Sequence, residues 1–163
     1  MNAEVVLSRA ESIAEEAAAV AAAAQRRELS IACAESLTSG AIATALGRAP
    51  HSALWFAGGV VAYSETAKVE ALGVHRGPVV TEQCALEMAA GVRRLMKADA
   101  AVAVTGVGGP GESEGHPAGT VMIAVSTPRA DWAATHHFDG DPVAVVSRTT
   151  LHALVRLREL LDA

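Results

Sequence analysis

Apolar residues along the chain recur at two spacings, and the switches between them divide it into helices and strands. Residues 3–28 form an Ala- and Glu-rich helix by intrinsic propensity, ended by the polar Gln25-Arg26-Arg27 group in its last turn. The short apolar run Leu29 to Ala34 follows as a strand, and Ile42 and Leu46, one turn apart, mark a helix from about Thr38 to Gly47. After the loop Arg48-Ala49-Pro50-His51-Ser52 the stretch Trp55 to Tyr63 is strand-like, and its Gly58-Gly59 pair predicts a bulge or a close backbone approach. Ser64 caps a short helix, Glu65 to Leu72, with Gly73 as its stop signal. Thr81 caps another, in which Ala85, Met88, Ala89, Val92, Leu95 and Met96 repeat at helical spacing. Ala100 to Val104 reads as a buried strand. Gly119 to Val125 and Trp132 to Phe138 are two more, and Val143 to Leu161 closes the chain as a helix with Leu151, Leu154, Val155, Leu157 and Leu161 on its buried face.

The alternation gives about five strands and five helices. Both central strand runs are apolar throughout, as expected where helices cover both faces of a sheet. The expected fold is therefore α/β: a single three-layer α/β/α domain over residues 1–163, with the 1–28 helix packed on it. The direct succession from Gly119 to Phe138 makes a hairpin, so the sheet is expected to be mixed and mostly parallel.

Composition sharpens this picture. At 163 residues the chain has the size of one domain with a real core; 51% of it is hydrophobic but only 3% aromatic, so that core is built from Ala, Val, Leu and Ile. A net charge of −5 without a basic stripe argues against nucleic acid as a partner. Cys33 and Cys84 are too few for a disulfide scaffold and lack CxxC spacing, so they read as buried thiols of a cytosolic protein. The run Ala17 to Ala24 follows Glu11, Glu15 and Glu16 where a signal peptide would carry positive charge, and it is too short to span a bilayer. The protein is expected to be soluble, cytoplasmic and free of the membrane.

Three segments carry candidate chemistry. Ala34-Glu35-Ser36-Leu37-Thr38-Ser39-Gly40 places hydroxyls where a strand ends and a helix begins, and the helix's free N–H groups there can hold a phosphate or an oxyanion. The plainer expectation is that Ser36, Thr38 and Ser39 cap the helix. The loop Thr105-Gly106-Val107-Gly108-Gly109-Pro110-Gly111 also follows a strand, where ligands collect in open α/β sheets. It lacks the Gly-Lys-Ser/Thr of a Walker loop and the dinucleotide spacing, so it reads as a connection or as a nest of N–H groups beside the Thr105 hydroxyl. In Tyr63-Ser64-Glu65-Thr66-Ala67-Lys68, Lys68 lies four residues after Ser64. A lysine is ordinarily a solvated helix residue; as a general base it must be neutral, which requires burial or a nearby cation.

Taken together, Glu35-Ser36 with Thr38 and Gly40, Tyr63-Ser64 with Ala67-Lys68 and Leu72-Gly73-Val74, Thr105-Gly106 with Gly109-Pro110-Gly111, and Pro117 with Gly119-Thr120-Val121 resemble the CinA carboxy-terminal domain family over about residues 25 to 161. The resemblance implies a nicotinamide mononucleotide amidohydrolase that releases ammonia and leaves nicotinic acid mononucleotide, with no metal and no cofactor, on a three-layer fold with a mixed sheet. It implies Ser36 as nucleophile, Lys68 as its base, Tyr63 as an orienting or proton-relaying group, and Thr105 as a group that binds or polarises the substrate. The substrate phosphate is expected at Thr38, Ser39 and Gly40 or along the loop containing Gly106 and Gly109.

The chain departs from that family's pattern in places. Leu37 and Ser39 replace a small residue and a glycine, and His116 replaces the usual lysine before Pro117. Where the family reads Gly-Asp-Arg and a second arginine four residues on, this chain has Gly140-Asp141-Pro142 and Val146, with Arg148 two residues beyond and His136 and His137 before the turn. An arginine there would suit a phosphate through bidentate bonds. The alternatives are therefore a catalytically weakened relative that binds a pyridine nucleotide, or a structural, partner-binding domain such as a homo-oligomer. Members of the family often carry an additional amino-terminal domain, so a chain of this length is expected to be a stand-alone form.

Overall fold

Small, strongly helix-forming residues carry the first helix, α1, over Ala3–Arg26, with Ala17, Val20, Ala21 and Ala24 buried along one stripe. The structure, a computed structural model, describes the backbone of residues 3–163 and side chains from residue 9 onward; Met1 and Asn2 of the expected 1–28 segment lie outside the described residues. Strand β1 (Ile31–Glu35) follows, then helix α2 (Ala41–Arg48), a single 3-10 turn (Ser52–Leu54) and strand β2 (Phe56–Val61). Helices α3 (Glu65–Leu72) and α4 (Glu82–Leu95) come next. The chain finishes with β3 (Ala100–Gly106), β4 (Thr120–Ser126), β5 (Asp131–His137) and helix α5 (Pro142–Asp162).

The expected caps of α3 and α4 are present: Ser64 Oγ accepts from the Ala67 N–H at 3.1 Å, and Thr81 Oγ1 from the Cys84 N–H at 3.0 Å. Gly73 ends α3 in the left-handed conformation, at φ 71°. Both cysteines are free and buried.

The five strands lie in the order β2-β1-β3-β4-β5. β1 pairs in parallel with β2 and with β3; the pairs β3/β4 and β4/β5 are antiparallel. Four of the five strands therefore point the same way, with β4 reversed. Opposite Ile31 and Ala32 the register slips by one residue at Gly58, and a Cβ on Gly59 would stand 2.5 Å from Cys33 Sγ, so the glycine pair supplies both the bulge and the close approach its sequence predicts.

Strand alternation sorts the core into two layers. Ile31, Cys33, Val102, Val104, Val121 and Ile123 face α1, α2 and α5. Ala32, Ala34, Ala101, Ala103 and Ala124 face α3 and α4, where they meet Ala85, Met88, Ala89 and Val92. The sheet thus presents bulky side chains to one layer and mostly alanines to the other. The chain leaves β1 through α2 on the first face and leaves β2 through α3 and α4 on the second, so the carboxyl ends of β1 and β3 flank a topological switch point. Among the described residues, no helix is long and apolar enough to cross a membrane.

The entry to α2 differs from its expected form. The helix begins at Ala41, not near Thr38, because Ser39 at φ 49° and Gly40 at φ 102° are left-handed and cannot belong to it. Neither Ser36, Thr38 nor Ser39 caps it. The cap is the fully buried Glu35 carboxylate: Oε2 accepts from Gly40 N–H at 3.0 Å and Ile42 N–H at 3.1 Å, and Oε1 from Ala43 N–H at 2.8 Å. The Thr38 hydroxyl donates to the same Oε2 at 2.6 Å. Four donors and the helix dipole together offset the desolvation of one carboxylate.

Two substitutions test this packing by urea denaturation. Glu35→Ala strands three N–H groups and a hydroxyl, and is expected to lower the unfolding free energy by about 2–4 kcal/mol. A Cβ on Gly91 would lie 2.1 Å from the Leu72 carbonyl oxygen. Gly91→Ala is expected to destabilise by about 2 kcal/mol, despite the ~1 kcal/mol alanine normally gains over glycine inside a helix.

Candidate active site

Ser36 is the first residue beyond β1 and continues the alternation that turns Ala32 and Ala34 toward α3 and α4. It is buried, at 6% exposure. Lys68, in the first half of α3, is only 1% exposed, and its Nζ stands 3.0 Å from Ser36 Oγ. The same nitrogen donates to the carbonyls of Ala62 at 2.9 Å and Tyr63 at 3.0 Å. Among the described residues it forms no ion pair with a carboxylate. Burial pulls its pKa below the ordinary lysine value, opposed by the thiolate form of Cys84 and by Glu114. A neutral amine has two N–H bonds and one lone pair. With both N–H bonds directed at the two carbonyls, the lone pair is left for the Ser36 hydroxyl proton.

Other expected site residues are placed differently. Tyr63 reaches Lys68 through its backbone carbonyl, while the residue is 68% exposed. The Thr105 hydroxyl is buried and donates to the Val79 carbonyl at 3.0 Å, leaving its oxygen lone pairs as the part able to meet a ligand. Gly106 belongs to the sheet: it pairs with Val121, and a Cβ there would lie 2.4 Å from the Thr120 carbonyl oxygen. Gly108 comes against Leu37, its Cβ position 3.5 Å away, which brings the glycine loop beside the serine turn. Gly109, at φ 87°, sits against Ala118 farther along that loop.

At the start of α2, where a phosphate was one of two expected placements, the donors already have a partner within the protein. Thr38 is committed to Glu35, the Gly40 N–H is occupied by the same carboxylate, and Ser39 is exposed. A phosphate there would meet a like charge where free N–H groups were expected. The N–H groups of Leu37 and Thr38, by contrast, carry no hydrogen bond to the described residues.

Toward the carboxyl end, Pro142 opens α5 behind the Asp141 cap, whose Oδ1 accepts from Ala144 N–H at 2.8 Å. Val146 lines an apolar groove of about 450 Å³ between α1, α2 and α5, in which Arg48 is the cationic member. Arg148 donates instead to the Asp139 carbonyl. On the edge strand β5, His137 is exposed and His136 stacks on Phe138 with ring centroids 5.7 Å apart. Among the described residues no three His, Cys, Asp or Glu side chains gather to hold a metal ion.

Sequence reasoning assigned no role to Glu35, Glu114 or Arg48. For Glu35 a signal was available: it shares the parity of Ile31 and Cys33, so its carboxylate points into a core where only donors make it tolerable.

The family model of the CinA C-terminal domain matches residues 13–161. A CinA-like protein of Fervidobacterium nodosum is 39% identical over 139 residues, covering 82% of this chain and 34% of the relative. A putative competence-damage inducible protein of Desulforamulus reducens is 40% identical, with the same 82% and 34% coverage. The chain thus spans about a third of the length of the curated relatives it matches. Among solved structures, the competence damage-inducible protein A of Klebsiella pneumoniae superposes with a TM-score of 0.89 at 36% identity, covering 92% of this chain and 97% of that one. The CinA superfamily protein of Escherichia coli gives 0.87 at 32%, over 93% and 90%. Sequence and fold agree, and this chain belongs to the CinA C-terminal domain family.

Proposed function

We propose that this protein is an amidohydrolase that converts nicotinamide mononucleotide to nicotinic acid mononucleotide and ammonia through Ser36 and Lys68. The observation that carries this reading is the 3.0 Å contact between Ser36 Oγ and the amine of a lysine that is buried and has no carboxylate partner among the described residues. A solvated structural lysine would have neither property.

An amide carbonyl is a weak electrophile, so the serine proton must leave during attack. Ser36 Oγ bonds to the carboxamide carbon as Lys68 Nζ takes its proton, and the carbonyl oxygen becomes an oxyanion. The Leu37 and Thr38 N–H groups are the donors available to it. Collapse breaks the C–N bond, and the proton held by Lys68 goes to the departing amine, which leaves as ammonia. Water then attacks the ester with Lys68 again as base, giving the free carboxylate and restoring Ser36. With the start of α2 occupied by Glu35, the N–H groups of the loop containing Gly108 and Gly109 are the remaining phosphate donors of the two expected sets.

A second reading is favoured by Pro142 and Val146: a pyridine-nucleotide-binding relative with weakened turnover. Both readings expect the nucleotide to raise the melting temperature, and they separate on turnover.

Ammonia release from nicotinamide mononucleotide, compared with free nicotinamide and glutamine, decides the matter. The proposal expects release from the nucleotide, lost by a factor of about 10³ or more in Ser36→Ala and Lys68→Met. No release from any of the three amides would end it. Because the base must be neutral, the rate is expected to fall as pH drops through the lowered pKa of Lys68.

Linkage gives a second, activity-free test. Between the folded pKa and the ordinary value of 10.5 the unfolded chain binds the lysine proton and the folded chain does not, so stability from this group rises with pH across that window. Lys68→Met is expected to lose that slope in denaturation curves taken at a series of pH values. An unchanged slope would mean that Lys68 is not the buried titrating group.

A further inference from the structure

Helix α5 meets the edge strand β5 through a group of rings, and two of these are imidazoles. His136 stacks on Phe138, the residue just beyond the strand, with centroids 5.7 Å apart. His152, from the middle of α5, meets both: its ring centroid is 4.8 Å from that of Phe138 and 5.8 Å from that of His136, edge-on to the latter. One turn further along α5 the Arg156 guanidinium covers the Trp132 ring at 4.3 Å, and Trp132 in turn adjoins His136 at 6.4 Å. Within this cluster His136 Nε2 is buried and has no hydrogen-bond partner among the described residues.

A neutral imidazole with its proton on Nδ1 tolerates that position, because Nε2 then brings only a lone pair. Protonation would put an N–H there without an acceptor and a charge without water, and both are costly. The neighbouring charges add to the cost. From α5 come His152, Arg156 and, one turn before His152, Arg148; from α4 comes Glu82, whose carboxylate accepts the Thr135 hydroxyl. Arg156 is itself paired with Glu159, and His137 turns to the Thr120 side of the strand. Burial holds both His136 and His152 below the ordinary imidazole value of 6.5, and the nearby cationic groups push the same way, with Glu82 opposing at His136.

The cluster is also tied to the glycine loop. Phe138 N–H donates to the Gly119 carbonyl at 2.9 Å, and Gly119 N–H donates to the Val107 carbonyl at 2.7 Å. A Cβ on Gly119 would lie 2.2 Å from the Phe138 carbonyl oxygen, so the backbone after β5 presses directly on the segment that anchors Val107. Rings that fix Phe138 therefore fix the base of the loop that Gly108 brings beside Leu37.

We propose that the cluster of His136, Phe138 and His152 is an acid-sensitive clamp: with both imidazoles neutral it locks the end of β5 to α5 and, through Gly119, the base of the glycine loop, and protonation releases them. The inference does not depend on the reaction at Ser36.

Below pH 6.5 the unfolded chain binds protons that the folded cluster refuses, so stability falls as pH drops from 6.5 toward the folded pKa values. Glu87 and Asp99, whose carboxyls lie below their ordinary values of 4.5 and 3.8, lose their contribution only beneath that window. Urea denaturation is compared in the wild type, His136→Phe, His152→Phe, the double variant and His137→Asn. From about pH 7.5 to about pH 5.5 the wild-type folding constant is expected to fall about fivefold or more, less in each single phenylalanine variant and least in the double one. His137→Asn is expected to keep the wild-type decline. Imidazole proton resonances of the wild type, which need no variant, are expected to show His136 and His152 titrating below 6.5. Exchange of the Phe138 and Gly119 amide protons, corrected for its intrinsic pH dependence, is expected to quicken over the same range in the wild type and not in the double variant.

Imidazoles that titrate at 6.5 or above, or a decline that the double variant retains in full, would overturn the proposal. A decline removed by the double variant while exchange at Phe138 and Gly119 stays unchanged would overturn it as well, because the glycine loop would not be what the cluster holds.

Discussion

A single buried carboxylate holds the geometry at the carboxyl end of β1. Glu35 has lost its water entirely, and an ionised carboxylate in that position is tolerable only if its lone pairs are filled. Three backbone N–H groups of the incoming helix and the Thr38 hydroxyl fill them. Those bonds require the chain to double back within five residues, which it does through left-handed Ser39 and Gly40. The turn around Ser36 is therefore set by its neighbour, and the serine is relieved of any duty as a cap.

Strand parity then separates the two jobs. Glu35 falls on the face with α2, and Ser36 on the alanine-lined face with α3 and α4, where Lys68 descends from α3. Because the sheet contributes mostly alanines to that interlayer, a long side chain fits at its rim, and Lys68 is buried there at 1% exposure. The lysine consequently trades hydration for two carbonyls and a hydroxyl. That trade weakens the ammonium relative to the amine, a loss for stability below the lowered pKa and the condition for proton acceptance.

Much of this was legible in the sequence, and the rest was hidden for identifiable reasons. Ser64, Thr81 and Gly73 act locally, through bonds to residues three or four away, so helices α3 and α4 begin where their caps predict. The Gly58-Gly59 bulge was readable because glycine has few other uses inside a strand. The true cap of α2 was missed because a glutamate reaching forward over five to eight residues leaves no short-range motif, while nearby Ser and Thr offer the usual one. The burial of Lys68 is a tertiary outcome that its own helix does not encode. Tyr63 illustrates the converse: the position matters, but what the site uses there is the carbonyl that every residue possesses.

The occupation of the start of α2 bears on the proposed activation of Ser36. A nucleophile placed before a helix can draw on the positive end of the dipole, both to stabilise its alkoxide and to bind an anionic substrate group. Here the N–H groups at that end are already taken by the Glu35 side chain, so they are not offered to Ser36 or to a ligand. In the proposed reaction, deprotonation of Ser36 therefore rests on Lys68, and the developing oxyanion on N–H groups outside this cap, such as those of Leu37 and Thr38. Under the same reading an anionic substrate group is expected at the glycine loop, which Gly108 brings against Leu37, and not at the helix start. The same carboxylate that fixes the serine thus sets, in the proposed reaction, the side from which a charged substrate approaches it.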